Sequence, residues 1–316
     1  MGRSLRTSEG YTRTAVIGQG SIGKRHSENL TKLGHKVVPI DIGDDLPFDV
    51  DCAFICTPTA YHCDQAYEYL SRNIPTFIEK PLGHNYNELT KFIQSLASNT
   101  TISMVGCNMR FHPAIRDAKD LVQKHKAIFA RAEYGYYLPF WRKGDYTKSY
   151  SAGIDGGIIL DDIHEVDYLY WLFGNIIDLK TVYGKVSDLE IKQEDIAETS
   201  ILFENGVSAS VHQDYLCKNY HRTLEIHFAH ERVKFDLPVT NLAYKKQVEY
   251  FMDCVSKKVQ PMNGIGEAFY ILSGVLNAKN GNNSGETNQH KTTTESPNGY
   301  IRWNNAGKGN RENITV

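Results

Sequence analysis

The sequence predicts an α/β chain in two parts, a parallel sheet covered on both faces and then an α+β domain with a mostly antiparallel sheet. Three observations carry this. Residues 12–110 alternate short apolar runs with helical spacing, residues 111–278 pass into apolar runs of period two, and 316 residues is enough chain for about two domains. Thr14–Ile17 is a buried-strand run that leads at once into a glycine turn. From Ser21 to Leu33, Ile22, His26, Leu30 and Leu33 share one helical face, and Gly34 stops the helix. Val37–Ile40, Cys52–Thr57 and Thr76–Ile78 read as further strands. Helices carrying Cys63, Ala66 and Leu70, then Leu89, Phe92, Ile93 and Leu96, follow the third and fourth, and Ile102–Val105 closes the series. Such alternation is the pattern of a parallel sheet.

After Pro113 the spacing predicts a helix to about Lys124, a strand over Ala127–Tyr137, and one helix from about Asp155 to Phe173. Glu204-Asn205-Gly206 is a hairpin signal, with Val207, Ala209 and Val211 alternating beyond it. Leu224, Ile226 and Phe228, then Val233, Phe235 and Leu237, alternate too, which predicts a sheet with one polar face. Val248, Phe251, Met252 and Val255 mark a late helix; Ala268, Ile271, Leu272 and Val275 mark another. Residues 1–11 read as a flexible N-terminus. Residues 279–316 hold six apolar side chains and nine Asn in 38 residues, too little to bury, so a disordered tail is expected.

Lys and Arg number 35 and Asp and Glu 37, a formal net charge of −2. That balance excludes a protein that coats nucleic acid or an anionic membrane by bulk charge. No run approaches the roughly 18 apolar residues of a membrane span, and Met1–Arg6 has no signal-like apolar stretch. Six cysteines without a C-x-x-C pair fit reduced thiols. The expected location is cytoplasmic, with no nucleic-acid or membrane partner.

Gly18-Gln19-Gly20-Ser21-Ile22-Gly23 is a G-x-G-x-x-G between a predicted strand and a predicted helix, the context in which that pattern has meaning. Gly18 permits the tight turn, Gly20 admits a pyrophosphate, and Gly23 lets helix and strand close up. The phosphates would sit on the helix N-terminus, near Ser21 and Ile22. Asp41 ends the second strand and could accept both ribose hydroxyls; no Arg or Lys follows within Ile42–Asp45, so NAD is expected in preference to NADP. Glu79-Lys80-Pro81 stands at the end of the fourth strand, where open α/β sheets bind ligands. Lys80 there could polarise a substrate hydroxyl or be a solvated turn residue.

Asp161 and His164, three apart on the predicted helix, would share a face, and His164 lies off the apolar stripe of Ile159, Ile163, Val166, Tyr170 and Phe173. An imidazole there can take a hydroxyl proton, or be an ordinary helical histidine. Asp161, Asp162, His164, Glu165 and Asp167 could be read as metal ligands, but no second histidine cluster accompanies them, and no metal is expected. Trp141, Arg142, Tyr146 and Tyr150 belong to a crowded aromatic and basic stretch that suits a sugar and its anionic groups, or an interface.

These segments together resemble the Gfo/Idh/MocA family, which includes glucose–fructose oxidoreductase and inositol dehydrogenases. The likeness runs through Gly18–His26, Thr57–His62, Glu79–Pro81 and Gly156–Phe173 in order, with Asn108–Pro113 and the strand from Gly206 to Tyr215 also similar. It implies a Rossmann domain over residues 12–110 and an open-faced substrate and oligomerisation domain over 111–278, often buried in a homodimer or homotetramer. Lys80 matches the family's lysine beside nicotinamide and substrate, and His164 its acid/base histidine. Thr57, Thr59 and His62 match a cofactor-lining turn; Glu79 and Asn108 fall in matching cofactor segments, and Arg110 in a substrate segment. Many members carry Asp four residues before the histidine; here that position is Leu160, and Asp161 is the nearby substitute, turned by about 100° on a helix. The implied activity is NAD-dependent oxidation or reduction at a secondary hydroxyl of a sugar, cyclitol or nucleotide-sugar. A redox-assisted glycoside hydrolase and a non-catalytic NAD-binding sensor are the alternatives.

Overall fold

A computed structural model describes residues 12–142 and 144–282. The segments 1–11 and 283–316, which hold the expected N-terminal arm and most of the expected tail, lie outside the described residues. The first part runs β1 (Arg13–Ile17), α1 (Ser21–Lys32), β2 (Lys36–Ile40), β3 (Cys52–Ile55), α2 (His62–Leu70), β4 (Thr76–Glu79), α3 (Tyr86–Ser95) and β5 (Ser103–Gly106). All five strands are parallel, in the order β2-β1-β3-β4-β5. The chain leaves β1 to one side and returns for β3 on the other, so a crevice opens beyond their C-terminal ends.

Because side chains alternate along a strand, the sheet sorts its residues onto two faces. Ala15, Ile17, Ala53, Ile55, Ile78 and Val105 pack toward α2 and α3, while Val16, Cys52, Phe54, Phe77 and Met104 pack toward α1. The near-continuous apolar runs seen in the sequence follow from this double burial.

The second part runs α4 (Pro113–Lys124), β6 (Ala127–Gly135), α5 (Leu138–Trp141), α6 (Ile158–Asp161), α7 (His164–Phe173), β7 (Ile176–Gly184), β8 (Ile196–Phe203), β9 (Ser208–Asp214), β10 (His221–Phe228), β11 (Arg232–Asp236), α8 (Asn241–Lys257) and α9 (Ile265–Asn282). Its sheet has the order β11-β10-β6-β9-β8-β7, with β6 and β9 parallel and the other neighbours antiparallel. Ala130, Ala132, Ile201, Val211, Leu224 and Ile226 face the core beneath α7. The other face is polar, with His212 of β9 2.5 Å from Glu198 of β8.

Three features differ from the sequence reading. The single helix expected over 155–173 is two helices with a break at Asp162, whose φ and ψ are −125° and 56°. A continuous helix needs the carbonyls of residues 161 and 162 to accept from N–H groups four residues on. Here the Asp161 carbonyl accepts from Lys80 Nζ and the Asp162 carbonyl from Gln213 Nε2. Side chains inserted into the ladder break it. Strand β7 lacks clean alternation and was not singled out. Helix α9 continues to Asn282, past the boundary set at 278.

Helix α8 belongs by sequence to the second part, yet it covers the first sheet. Val248, Phe251, Met252 and Val255 pack on Val16, Phe54 and Phe77. The Phe54 and Phe77 rings stack at 4.7 Å, and Phe251 meets both edge-on at 5.4 and 5.6 Å. Phe251→Ala is therefore expected to cost about 3–5 kcal/mol in urea unfolding. Leu242→Ala, at a largely exposed position of the same helix, should stay within about 0.5 kcal/mol.

Candidate active site

The glycine turn sits at the crevice. Gly18 has φ +91°, donates its N–H to the Ile40 carbonyl at 2.9 Å, and lies so close to the Cys56 carbonyl that a Cβ would stand 2.7 Å from it. A Cβ on Gly23 would lie 1.8 Å from the Gly18 carbonyl oxygen, so helix and turn can close only through glycine. Gly20 caps α1 with no side chain, and nothing lies within 4 Å of where its Cβ would project. The helix start thus combines open space with uncapped N–H groups, which fits a pyrophosphate. Ser21 is exposed beside it, Ile22 packs beneath, and Asp41 is exposed just beyond β2. The side chains present fit a dinucleotide.

Buried polar contacts fix the strand ends around this turn. His26 of α1 lies 2.6 Å from Glu79 Oε1, tying the glycine helix to the end of β4, and Glu79 Oε2 accepts the Lys80 N–H at 3.2 Å. His62 lies between two carbonyls, Nδ1 2.8 Å from Pro81 and Nε2 2.8 Å from Thr57, and burial lowers its pKa, so in its neutral form it donates to one of them. Thr57 Oγ1 donates to Gln65, while Thr59 and Asn108 are buried. Of the expected cofactor residues, Thr57, His62 and Glu79 thus hold the loops in place through these contacts.

Lys80, whose peptide bond to Pro81 is cis, reaches into the second part. Its Nζ donates to the Asp161 carbonyl and lies 3.6 Å from Asp161 Oδ1. The Asp161 carboxylate is a hub: Arg142 Nη2 donates to both its oxygens at 2.8 and 2.7 Å, and Tyr150, Ser151 and Tyr215 donate hydroxyls at 2.7, 2.6 and 2.9 Å. Burial alone would raise the Asp161 pKa, but Arg142, Lys80 and the hydroxyls overcome it and hold the carboxyl well below the usual range. An oxygen pair so occupied is no proton acceptor. The break at Asp162 also means that Asp161 and His164 do not share one helical face.

His164 opens α7, buried, with its Nδ1 unpartnered. Burial, reinforced by Lys80 and Arg222, pushes its pKa well below the ordinary 6.5. It is a neutral imidazole near neutral pH. Behind it, Arg222 of β10 pairs with Asp162, and its Nε lies 3.1 Å from Glu165 Oε1. The Glu165 oxygens nevertheless make no directed hydrogen bond, and burial together with the Asp162 charge pushes its carboxyl up to about 8 against the pull of Arg222. The carboxylates that suggested metal ligands converge on arginine instead.

The remaining expected residues divide. Trp141 lies under the Arg142 guanidinium at 4.1 Å and beside Tyr215 at 6.1 Å, so both Trp141 and Arg142 belong to the hub, as does Tyr150. Tyr146 does not join it; its hydroxyl accepts the Glu190 N–H at 3.0 Å. Arg110, expected to bind substrate, is fully buried, gripping Asp167 at 2.8 and 2.7 Å and Glu267 at 2.5 Å. It is a structural ion pair. Sequence reasoning missed Ser151, Tyr215, Arg222 and the neutral Glu165. Tyr215 and Glu165 both stand within segments of family likeness, and Glu165 is among the carboxylates that suggest metal ligands, but nothing local marks its neutrality; no local pattern marks Ser151 or Arg222.

A parallel sheet whose glycine turn opens onto a crevice, facing a lysine and a histidine from a second sheet domain, defines a dinucleotide-binding oxidoreductase architecture. The oxidoreductase family with an NAD-binding Rossmann fold matches residues 39–107, and the GFO/IDH/MocA C-terminal domain matches residues 116–234. The chain belongs to the Gfo/Idh/MocA family. It is 26% identical over 234 residues to the uncharacterized oxidoreductase YrbE of Bacillus subtilis, covering 63% of this chain and 65% of that protein. It is 27% identical over 236 residues to scyllo-inositol 2-dehydrogenase (NAD(+)) of the same organism, covering 64% and 67%. The matched stretch thus spans about two thirds of these relatives. Among solved structures, myo-inositol 2-dehydrogenase from Lactobacillus plantarum has a TM-score of 0.74 at 19% identity, covering 87% of this chain and 98% of that one. Scyllo-inositol dehydrogenase from Lactobacillus casei with NAD(H) and scyllo-inositol has a TM-score of 0.71 at 17% identity, covering 85% and 96%. These structures share the fold. No helix among the described residues is long and apolar enough to cross a membrane.

Two measurements follow from the site. In the folded chain Glu165 keeps its proton up to about pH 8, whereas the unfolded chain releases it near 4.5. Folding stability should therefore fall as pH rises from 5 to 8, and Glu165→Gln should flatten that slope in urea titrations. Calorimetry should find NAD bound more tightly than NADP, with Asp41→Ala lowering NAD affinity about tenfold or more and narrowing the difference.

Proposed function

We propose that the chain transfers hydride between the nicotinamide of NAD and a secondary hydroxyl or keto carbon of a sugar, cyclitol or nucleotide-linked sugar. The observation that carries this reading is that Lys80, just past the end of β4, reaches the Asp161 carbonyl, three residues before His164 at the start of α7, close enough for its charge to lower the His164 pKa. Relatives named as inositol dehydrogenases support it. NAD, when bound, supplies the hydride acceptor or donor.

The protein's part is proton handling and orientation. A secondary alcohol loses its hydroxyl proton as its carbon becomes a carbonyl, so oxidation needs a base near the oxygen. His164, held neutral, takes that proton. Lys80, anchored on the Asp161 carbonyl, points an ammonium donor at the same oxygen and stabilises developing negative charge. Asp161 is a positioning residue: it fastens Arg142, Tyr150 and Tyr215 and keeps Lys80 in reach. A second copy packed on the second sheet, where Val182 and Ile177 of β7 are exposed, fits the proposed homo-oligomer. Six free cysteines fit a reducing cytoplasm.

The test is an NADH-absorbance screen of polyols, sugars and nucleotide sugars. Lys80→Met and His164→Asn should each lower kcat by about 10²-fold or more while NAD affinity stays within about twofold. The acid limb of wild-type kcat/KM should lie below pH 6.5, because His164 gains its proton only below its ordinary range, and His164→Asn should remove that limb. Turnover unaffected by either substitution overturns the assignment.

A further inference from the structure

Resting on the oxidoreductase reading, we infer that the substrate carries a carboxylate, which Arg142 binds beside Lys80. Three observations lead there. The first is the supply of donors and acceptors. Both Asp161 oxygens are taken by protein donors, so the site offers no free carboxylate to substrate hydroxyls. His164 is the acceptor that takes a hydroxyl proton, whereas Lys80 and Arg142 are donors, so a ligand group lodged against those two must bring acceptors.

The second is the set of the guanidinium. Arg142 Nε donates to Ser151 Oγ at 2.9 Å and Nη2 to Asp161, whereas Nη1 has no hydrogen-bond partner among the described residues. The side chain is 27% exposed. Trp141 lies against its face at 4.1 Å and Tyr150 at 5.7 Å. The plane is thus held from one edge and stacked on Trp141, and Nη1 is left without a protein partner among the described residues. A guanidinium fixed this way loses little freedom on gripping an oxyanion.

The third is charge. Lys80 and Arg142 share one carboxylate, Asp161, while His164 is neutral. Behind them Arg222 faces Asp162 and a Glu165 that retains its proton, so that pair cancels and cannot balance the front. Glu79 is taken by His26 and the Lys80 backbone N–H, so among Lys80, Arg142 and Asp161 one positive charge is left over, at a site where Asp161 and His164 are buried. An uncompensated charge in such surroundings is costly, and a monoanion on the ligand offsets it. A dianionic phosphate would overshoot. The carboxylate of an aldonate or a uronic acid matches the count, and in a nucleotide-linked uronic acid the carboxylate, not the diphosphate, is the group that meets Arg142.

Calorimetry on the NADH-loaded full chain with matched probes tests this: D-gluconate, D-glucuronate and UDP-glucuronate against D-glucose, myo-inositol, UDP-glucose and glucose 6-phosphate. At least one carboxylate should bind ten times more tightly than its neutral partner. Arg142→Gln should remove that preference, read as the ratio of carboxylate to neutral-partner affinity within the same variant. Arg142→Lys, which keeps a cation for Asp161 and so protects the fold, should lose most of the preference too. Equal or better binding of the neutral sugars, a preference for the phosphate, or no carboxylate bound at all overturns the inference. Neutral polyols oxidised without any carboxylate preference overturn it and leave the dehydrogenase reading standing. Carboxylates bound through Arg142 but never oxidised support the inference and remove that reading.

Discussion

The break between α6 and α7 is the constraint on which the site depends. Two side chains from distant strands, Lys80 and Gln213, take the carbonyls that would have continued the helix. The bend turns Asp161 toward Arg142 and Tyr150, and starts a new helix at His164. Gly156 and Gly157 make the approach possible, since a Cβ on either would stand 2.5 Å from Ser151 or Glu194. The lysine proposed to serve the chemistry also shapes the backbone beside it. Site and fold are joined through one ammonium group.

Behind that bend lies an unusual load of buried charge. Asp161, Asp162, Glu165 and Asp167 fall within one stretch of seven residues, and all are buried. Each ionised member needs a cation, because an unpaired buried charge costs several kcal/mol. Arg142 serves the first, Arg222 is shared by the next two, and Arg110 serves the last. Three arginines for four carboxylates leave one acid, Glu165, that does best by keeping its proton. The arginines come from three places in the chain, so the cluster forms only when both sheets are assembled. That ties the chemistry to the integrity of the whole molecule.

The two parts are not independent blocks. Helix α8 follows the second sheet in the chain yet fills one face of the first, through Phe251 against Phe54 and Phe77. Helix α9 returns to pack on β7 and β5, and its Glu267 reaches Arg110. The crevice is therefore bounded by elements locked together by apolar burial. A rigid frame of this kind holds reacting groups in register.

Alternation and periodicity made most of the architecture legible. The apolar runs Thr14–Ile17 and Cys52–Thr57 marked strands of a sheet covered on both faces, and Val207, Ala209 and Val211 marked a half-buried strand. Glycines at 18, 20 and 23 are readable because backbone geometry at a turn leaves few residue types available. Lys80, His164 and the aromatic stretch stood out by type and position. The sequence alone could not show that the helix at 155–173 breaks, because its apolar spacing is continuous and the groups that break it come from residues 80 and 213. Nor could it separate Arg110, sealed against Asp167, from Arg142, which keeps an edge open; the two differ only in what long-range packing brings to them. Local pattern determined which elements form and which backbone turns are possible. Tertiary structure decided which charges pair and which stay neutral, because pairing and desolvation arise only between groups far apart in the chain.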